Sequence, residues 1–234
     1  DWAQVAALIT PKTRMIVINS PHNPTGSLLT AVDLEKLAEL VRGSDIVVLS
    51  DEVYEHIVFD GERHASVCGH AELAPRSIVV SSFGKTYHIT GWKIGYVVGP
   101  AALMAEFRKV HQFNVFTVHT PSQLALADYM QDASRHLGLA AFYQEKRDFF
   151  RNLLAATPFA LLPCRGTYFQ LASYAGISDL PDRAFAEWMT REVGVAVIPV
   201  SVFNADGRDD KVVRFCFAKK EETLVAAGER LRRL

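Results

Sequence analysis

The sequence predicts an α/β fold in which a doubly wound, mostly parallel sheet is followed by a smaller α+β domain. In the first half, short apolar runs at 15–18, 46–49 and 78–80 alternate with segments of helical pattern. The runs are apolar on both faces, which is typical of parallel strands covered by helices on both sides. The second half interleaves helices with short strands. We therefore assign residues 1–136 to part of a large domain and residues 137–234 to a small one.

The first half contains the other elements that this fold class requires. Residues 2–8 and 101–113 have helical patterns, and residues 96–98 are a fourth strand candidate. A further helix follows the first strand, where Thr30 and Asp33 are spaced as a capping box and Gly43 is placed to end it. Its apolar positions, at helical spacing, are Leu34, Leu37, Ala38 and Val41.

The second half predicts a long helix over about 139–155, a helix near 185–192 and strands at 167–171, 196–198 and 212–217. The apolar side of the long helix is predicted to contain Leu139, Phe142, Phe149 and Leu153. A C-terminal helix has glutamates at its start and arginines at its end, which complements the helix dipole. Its apolar positions are Leu224, Ala227, Leu231 and Leu234.

Composition argues against several classes of function. Lys plus Arg is 25 and Asp plus Glu is 26, so no excess of positive charge favours nucleic acid or an acidic membrane surface. No apolar run approaches the roughly 20 residues that span a bilayer. The 3 cysteines form no CxxC pair, and the 8 histidines show no HxxxH spacing. We therefore expect an intracellular, cytoplasmic protein without a metal site.

Polar residues with useful chemistry follow the predicted strands of the first half. Asn23 comes after the first strand, Asp51 and Tyr54 after the second, and Ser82 and Lys85 after the third. Ligands of open parallel sheets bind outside the carboxyl ends of the strands, so these side chains are candidates for one site. Taken singly, each has an ordinary explanation: a turn, a helix cap or a surface loop.

A nucleotide-binding loop is one alternative for the lysine segment. The order Gly84–Lys85–Thr86 is shared with the phosphate-binding loop of many nucleotide-hydrolysing proteins. That loop also needs glycine at position 79, where this chain has Val79. The sequence therefore excludes this interpretation.

Taken in order, the motifs resemble those of a known family. Asn23–Pro24–Thr25–Gly26, Asp51–Glu52–Val53–Tyr54, Ser82–Phe83–Gly84–Lys85 and Val213–Arg214–Phe215 are similar to the class I/II aminotransferases of fold type I, which use pyridoxal 5'-phosphate. Within that family, the stretches at 82–86, 90–95 and 214–219 resemble the methionine and glutamine/kynurenine branch. The resemblance covers essentially the whole chain.

The resemblance implies a role for each cofactor-site residue. Lys85 corresponds to the catalytic lysine, whose amine holds the cofactor aldehyde covalently and then moves a proton. Asp51 corresponds to the carboxylate that pairs with the protonated pyridine nitrogen, which keeps the ring an electron sink. Asn23 and Tyr54 resemble the pair that hydrogen-bonds the phenolic oxygen of the cofactor. The family also implies a cis bond at Asn23–Pro24.

The remaining roles concern the phosphate and the substrate. Ser82 and Lys93 correspond to phosphate contacts, although many class I relatives have arginine where Lys93 stands. Arg214 resembles the arginine that binds the substrate α-carboxylate through two hydrogen bonds, with Asn23 also at the substrate. No lysine or arginine occurs at 110–133 to bind a second carboxylate. We therefore expect methionine or another apolar or aromatic amino acid as substrate, with a 2-oxo acid as partner.

Two other functions remain open at this stage. A β-eliminating C–S lyase uses the same lysine, aspartate and arginine. A transcription regulator can also retain an aminotransferase-like domain as a sensor without enzymatic activity. The family's glycine-rich turn, the ring that stacks on the cofactor and a tyrosine lent across a homodimer all precede the Asn-Pro-Thr-Gly segment. We therefore expect this chain to be an N-terminally truncated fragment of a homodimeric enzyme.

Overall fold

The computed structural model describes all residues from Asp1 to Leu234 and divides into two compact units. The first unit consists of Asp1–Pro21, Leu28–His56 and Arg63–Leu139. The second unit consists of His22–Ser27, Ile57–Glu62 and Ala140–Leu234. No helix combines the length and the apolar content needed to cross a bilayer.

The first unit is built on a four-stranded sheet in the order β1-β2-β3-β4. The strands are β1 (Met15–Asn19), β2 (Val47–Asp51), β3 (Ser77–Ser82) and β4 (Gly95–Val98). The first three are parallel, and β4 pairs antiparallel with β3. The helices are α1 (Trp2–Leu8), α2 (Ala31–Val41), α3 (Phe83–Thr86), α4 (Ala101–Asn114), α5 (Thr120–Tyr129) and α6 (Ser134–Leu137). The predicted α/β fold with a mostly parallel sheet is confirmed.

The core of the first unit forms where α2 packs on the sheet. The four predicted apolar residues of α2 are all buried, together with Val48 and Val79 from the central strands. The predicted capping box is also present: Thr30 Oγ1 accepts from the Asp33 amide, and an Asp33 carboxylate oxygen accepts from the Thr30 amide at 2.8 Å. Gly43 takes the positive φ that follows many helix ends.

The second unit contains an antiparallel sheet in the order β5-β6-β8-β7. Its strands are β5 (Ala160–Leu161), β6 (Phe169–Ser173), β7 (Ile198–Pro199) and β8 (Val212–Cys216). Its helices are α7 (Leu139–Leu154), α8 (Asp182–Trp188), which continues into a π-helical turn at Met189–Val193, and α9 (Glu221–Leu231). Strand β6 begins later than predicted because Thr167 adopts a left-handed backbone, with φ 66°.

The prediction of which side of α7 is buried was wrong by part of a helical turn. Phe142 is exposed, whereas the buried side includes a charged residue, Arg147. The Arg147 guanidinium donates to both carboxylate oxygens of Asp60, at 2.6 and 2.7 Å, and to the Cys164 carbonyl at 3.0 Å. A prediction based on apolar residues does not include an arginine among the buried positions, so it indicated the neighbouring side of the helix. The buried residues are Leu139, Tyr143, Arg147, Phe150 and Leu154.

Candidate active site

Lys85 lies on the short helix α3, directly after the carboxyl end of β3. Ser82 caps this helix, because its Oγ accepts from the Gly84 amide at 3.0 Å. A Cβ atom on Gly84 would lie 2.9 Å from Thr90 Cα, so only glycine allows this close approach. The lysine is half-buried. The backbone around Lys85 is therefore held closely.

Asp51 is the last residue of β2, the strand next to β3. Its carbonyl accepts from Asn19 Nδ2 at 3.0 Å and from the Ser20 amide at 3.1 Å. Its Oδ1 accepts from the Val53 amide at 3.1 Å, which begins the turn that leads to the buried Tyr54. Because β2 and β3 are parallel neighbours, Asp51 and Ser82 lie at the same edge of the sheet.

Lys93 follows a 3-10 turn at Thr90–Trp92 and is exposed. Its backbone is left-handed, with φ 56°, a conformation that non-glycine residues adopt infrequently. Beyond it, a Cβ on Gly95 would lie 2.4 Å from the Ser81 carbonyl oxygen, so β4 can pair closely with β3 here only because residue 95 is glycine. The predicted phosphate contacts Ser82 and Lys93 therefore flank a tightly packed turn.

Asn23 belongs to the second unit, in a turn that runs from His22 to Ser27. The Asn23–Pro24 bond is cis, as the family resemblance implied, and so is Ser20–Pro21. Gly26 has φ 68°, and its carbonyl accepts from the amides of Arg165 and Gly166, both at 3.0 Å. A Cβ on Gly26 would lie 2.9 Å from the Gly166 oxygen. Glycine is therefore required where this turn meets residues 165–166.

Arg214 lies within β8, and its Nη1 donates to Asn23 Oδ1 at 2.5 Å. The guanidinium carbon lies 4.0 Å from the centroid of the Phe169 ring and 5.7 Å from that of Phe203. In the β6–β8 register Leu171 faces Arg214, so Phe169 is its diagonal neighbour on the same sheet face. An aromatic face attracts a cation and orients a planar guanidinium. The arginine is thus held by an amide and a ring.

The structure arranges the predicted residues in two groups. Asp51, Tyr54, Ser82, Lys85 and Lys93 belong to the first unit, at and beyond the carboxyl ends of β2 and β3. Asn23 and Arg214 belong to the second unit and are directly hydrogen-bonded. The first group combines two amines, a carboxylate, a phenol and a hydroxyl, and the second group offers a cation that could bind a carboxylate.

A buried carboxylate beside Asp51 was missed by the sequence analysis. Glu52 is 1% exposed, and its oxygens accept from Ser50 Oγ at 2.9 Å and the Val67 amide at 3.1 Å and contact His64 Nε2 at 2.7 Å. Burial alone raises the pKa of Glu52, but hydrogen bonds from His64 and Ser66, with the His64 charge, outweigh burial and hold that pKa below its usual value. Glu52 therefore anchors the end of β2 in ionised form.

Comparison with known proteins assigns the chain to a family. The sequence model described as Aminotransferase class I and II matches residues 1–231. The chain belongs to this family, and its fold is that of the fold type I members.

Particular relatives agree with the predicted branch. The chain is 52% identical to the methionine aminotransferase of Escherichia coli K12 over its whole length, which is 61% of that protein. It is 34% identical to human kynurenine–oxoglutarate transaminase 1, again over its whole length and 60% of the relative. A solved structure of an Escherichia coli methionine aminotransferase superposes with a TM-score of 0.97 at 51% identity, covering the whole chain and 62% of that structure. The chain thus spans about three fifths of these relatives.

Proposed function

We propose that the protein containing this chain transfers an amino group between an amino acid and a 2-oxo acid by a two-step route, with pyridoxal 5'-phosphate as cofactor. The observation that carries the proposal is the grouping of Asp51, Ser82 and Lys85 beyond the carboxyl ends of two adjacent parallel strands. The family assignment and the 52% identity to a methionine aminotransferase support it.

The residues fit the proposed cofactor. Asp51 uses Oδ1 for the Val53 amide, so Oδ2 is available for a protonated ring nitrogen. The Ser82 hydroxyl, whose hydrogen bond to the Ile94 carbonyl is long at 3.4 Å, is proposed to turn to a phosphate, and Lys93 has an exposed ammonium for the same group. Tyr54 and Asn23 are proposed to hydrogen-bond the phenolic oxygen. When bound, pyridoxal phosphate supplies an electron sink that allows an amino-acid Cα proton to leave.

The chain's own groups then account for the chemistry. Lys85 would hold the cofactor at its aldehyde, and its amine would accept and return the Cα proton of the substrate. General-base action of this kind contributes about 10²–10⁴ in rate. Arg214, oriented by Asn23 and Phe169, binds the substrate α-carboxylate through paired hydrogen bonds. The Asp51 carboxylate would favour the protonated form of the pyridine nitrogen.

We propose methionine or another apolar or aromatic amino acid as the donor. The absence of lysine and arginine from 110–133 and the methionine and kynurenine specificities named for two relatives support this choice. We also propose that residues 1–136 form part of the large cofactor-binding domain, that residues 137–234 form the small domain, and that the whole protein is a cytoplasmic homodimer.

The experiment is an assay of the whole protein with methionine, kynurenine and aspartate as donors and a 2-oxo acid as acceptor. Amino transfer that depends on the oxo acid, fastest with methionine or kynurenine, is the expected result. Release of pyruvate and ammonia from a cysteine conjugate without an oxo acid would identify a C–S lyase instead. Binding of cofactor without either reaction would favour the sensor function.

A further inference from the structure

Glu55 links the segment after β2 to strand β4. It directly follows Tyr54, and its Oε1 accepts hydrogen bonds from Tyr96 Oη and, at 3.3 Å, from Ser81 Oγ. Ser81 and Tyr96 face each other in the β3–β4 register. The Glu55 side chain is 24% exposed, so water competes little for its carboxylate. One carboxylate therefore joins three segments of the first unit.

Tyr96 also contacts the helix that carries Lys85. Its ring centroid lies 5.1 Å from that of Phe83, the first residue of α3. The Phe83 amide donates to the Ile94 carbonyl at 3.2 Å, and the Tyr87 ring lies 6.2 Å from the Phe83 ring. Since α3 has only four residues, it cannot hold its own orientation, and these contacts do so together with the Ser82 cap and the close packing at Gly84.

The protonation states of Tyr96 and His56 keep the Glu55–Tyr96 hydrogen bond intact near neutral pH. Burial, reinforced by the hydrogen bond to Glu55, raises the pKa of Tyr96 to about 12, so the hydroxyl remains a donor. His56 Nε2 lies 3.9 Å from Glu55 Oε1. Burial lowers the pKa of His56, so this ring is predominantly neutral at pH 7 and does not draw the carboxylate away from Tyr96.

We propose that Glu55 and Tyr96 are positioning residues for Lys85. The Glu55–Tyr96 hydrogen bond holds the Tyr96 ring against Phe83, and Phe83 sets the orientation of α3 and thus of the lysine relative to the Asp51–Tyr54 segment. The proposal rests on the proposed function of Lys85. Small displacements of a reacting group lower rates strongly, by about 10²-fold for 1 Å. The effect of losing the link should therefore appear in the chemical step.

The test uses Tyr96→Phe in the whole protein, with Tyr174→Phe as the matched control. Each variant loses one hydroxyl from a tyrosine that donates a hydrogen bond, because Tyr174 Oη donates to the Leu180 carbonyl at 2.9 Å in the second unit. Three quantities are measured: kcat and KM for amino transfer, the midpoint of thermal unfolding, and the rate at which pyridoxal phosphate with borohydride labels Lys85 in the cofactor-free protein, followed by mass spectrometry.

Tyr96→Phe should lower kcat and the labelling rate of Lys85 about tenfold, with KM within about twofold. Tyr174→Phe should lower the unfolding midpoint while leaving kcat and labelling within about twofold. Glu55→Gln retains a carbonyl that can accept from Tyr96, so it should lose less activity than Glu55→Ala.

Unchanged kcat and labelling in Tyr96→Phe, or equal losses in the Tyr174→Phe control, would overturn the positioning role. The unaltered protein distinguishes this failure from a failure of the proposed function. If it neither transfers an amino group nor becomes labelled at Lys85, the functional proposal itself is wrong.

Discussion

The two groups of candidate site residues occupy different parts of their sheets. In the first unit, Asp51 and Ser82 are the last residues of parallel strands, and Lys85 follows directly. In the second unit, Arg214 lies in the middle of β8, and its side chain projects from the face of an antiparallel sheet. Parallel strands therefore present chemistry at their ends, whereas an antiparallel strand presents it along its length.

The two groups are also held by different forces. Around Asp51 and Lys85 the contacts include a hydrogen bond from the Val53 amide to the Asp51 carboxylate, the Ser82 helix cap and the closely packed Gly84. Arg214 is held by a charged hydrogen bond and an aromatic ring. The first arrangement holds the backbone that carries the reactive side chains, whereas the second holds the guanidinium itself. Changes in the first group should therefore alter kcat, and changes in the second should alter KM.

Lys85→Ala tests this comparison with the largest expected effect. Loss of the amine removes both the covalent attachment and the proton transfer, so kcat should fall at least about a thousandfold. Steady-state amino transfer by the whole protein measures it. Lys36→Ala, which removes an exposed lysine of α2, is the control and should stay within about twofold of the unaltered protein. Sustained turnover by Lys85→Ala would refute the assignment.

Arg214→Lys should act on substrate binding. Lysine keeps the charge but loses the paired hydrogen bonds and the planar contact with Phe169. The loss of both contacts should lower kcat/KM about 10- to 100-fold. Most of this loss should appear as a higher KM, with cofactor binding unchanged. Arg208→Lys, at an exposed arginine of the second unit, is the control. An unchanged KM would mean that another group binds the carboxylate.

Glu52→Gln tests whether the buried carboxylate stabilises the end of β2. The variant should lower the free energy of unfolding at pH 7 by about 1–3 kcal/mol, because an ionised hydrogen-bond acceptor is lost. The folded-state pKa of Glu52 is below its usual value of 4.5, so its contribution is present above that pH and is lost as pH falls through the folded-state pKa.

The difference between the two proteins in the free energy of urea unfolding should therefore shrink as pH falls below 4.5. Glu39→Gln, at an exposed position of α2, is the control and should change stability by less than about 0.5 kcal/mol. A difference that stays constant with pH would contradict the ionised state assigned to Glu52.

Phe169→Leu has the smallest expected effect on activity. It removes the aromatic face under Arg214, worth about 0.5–1 kcal/mol, so KM should rise about two- to fivefold at constant kcat. Because Phe169 is also buried, Phe159→Leu serves as a control for packing in the same unit. Equal changes of KM in both variants would show that packing, and not the ring beneath the guanidinium, is responsible.

Most of the fold was predictable because its elements have local signals. The apolar runs of the central strands and the capping box of α2 depend on residues close together in the sequence, and the structure confirms them. The buried side of α7 was not predictable, since burial of Arg147 depends on Asp60, a distant residue. The contacts of Glu52 with His64 and of Glu55 with Tyr96 were not predictable for the same reason, because each joins residues that are separated in the sequence.

The sequence alone determined the fold class and the order of the strand-end motifs, because a residue that follows an apolar run is recognisable locally. It also supplied, through family resemblance, the roles that Lys85, Asp51 and Arg214 are predicted to play. Only the tertiary structure decided what surrounds these residues: the cap under Lys85, the ring under Arg214 and the carboxylates of Glu52 and Glu55. These partners are joined by hydrogen bonds and ring contacts between separate elements, which no local pattern encodes.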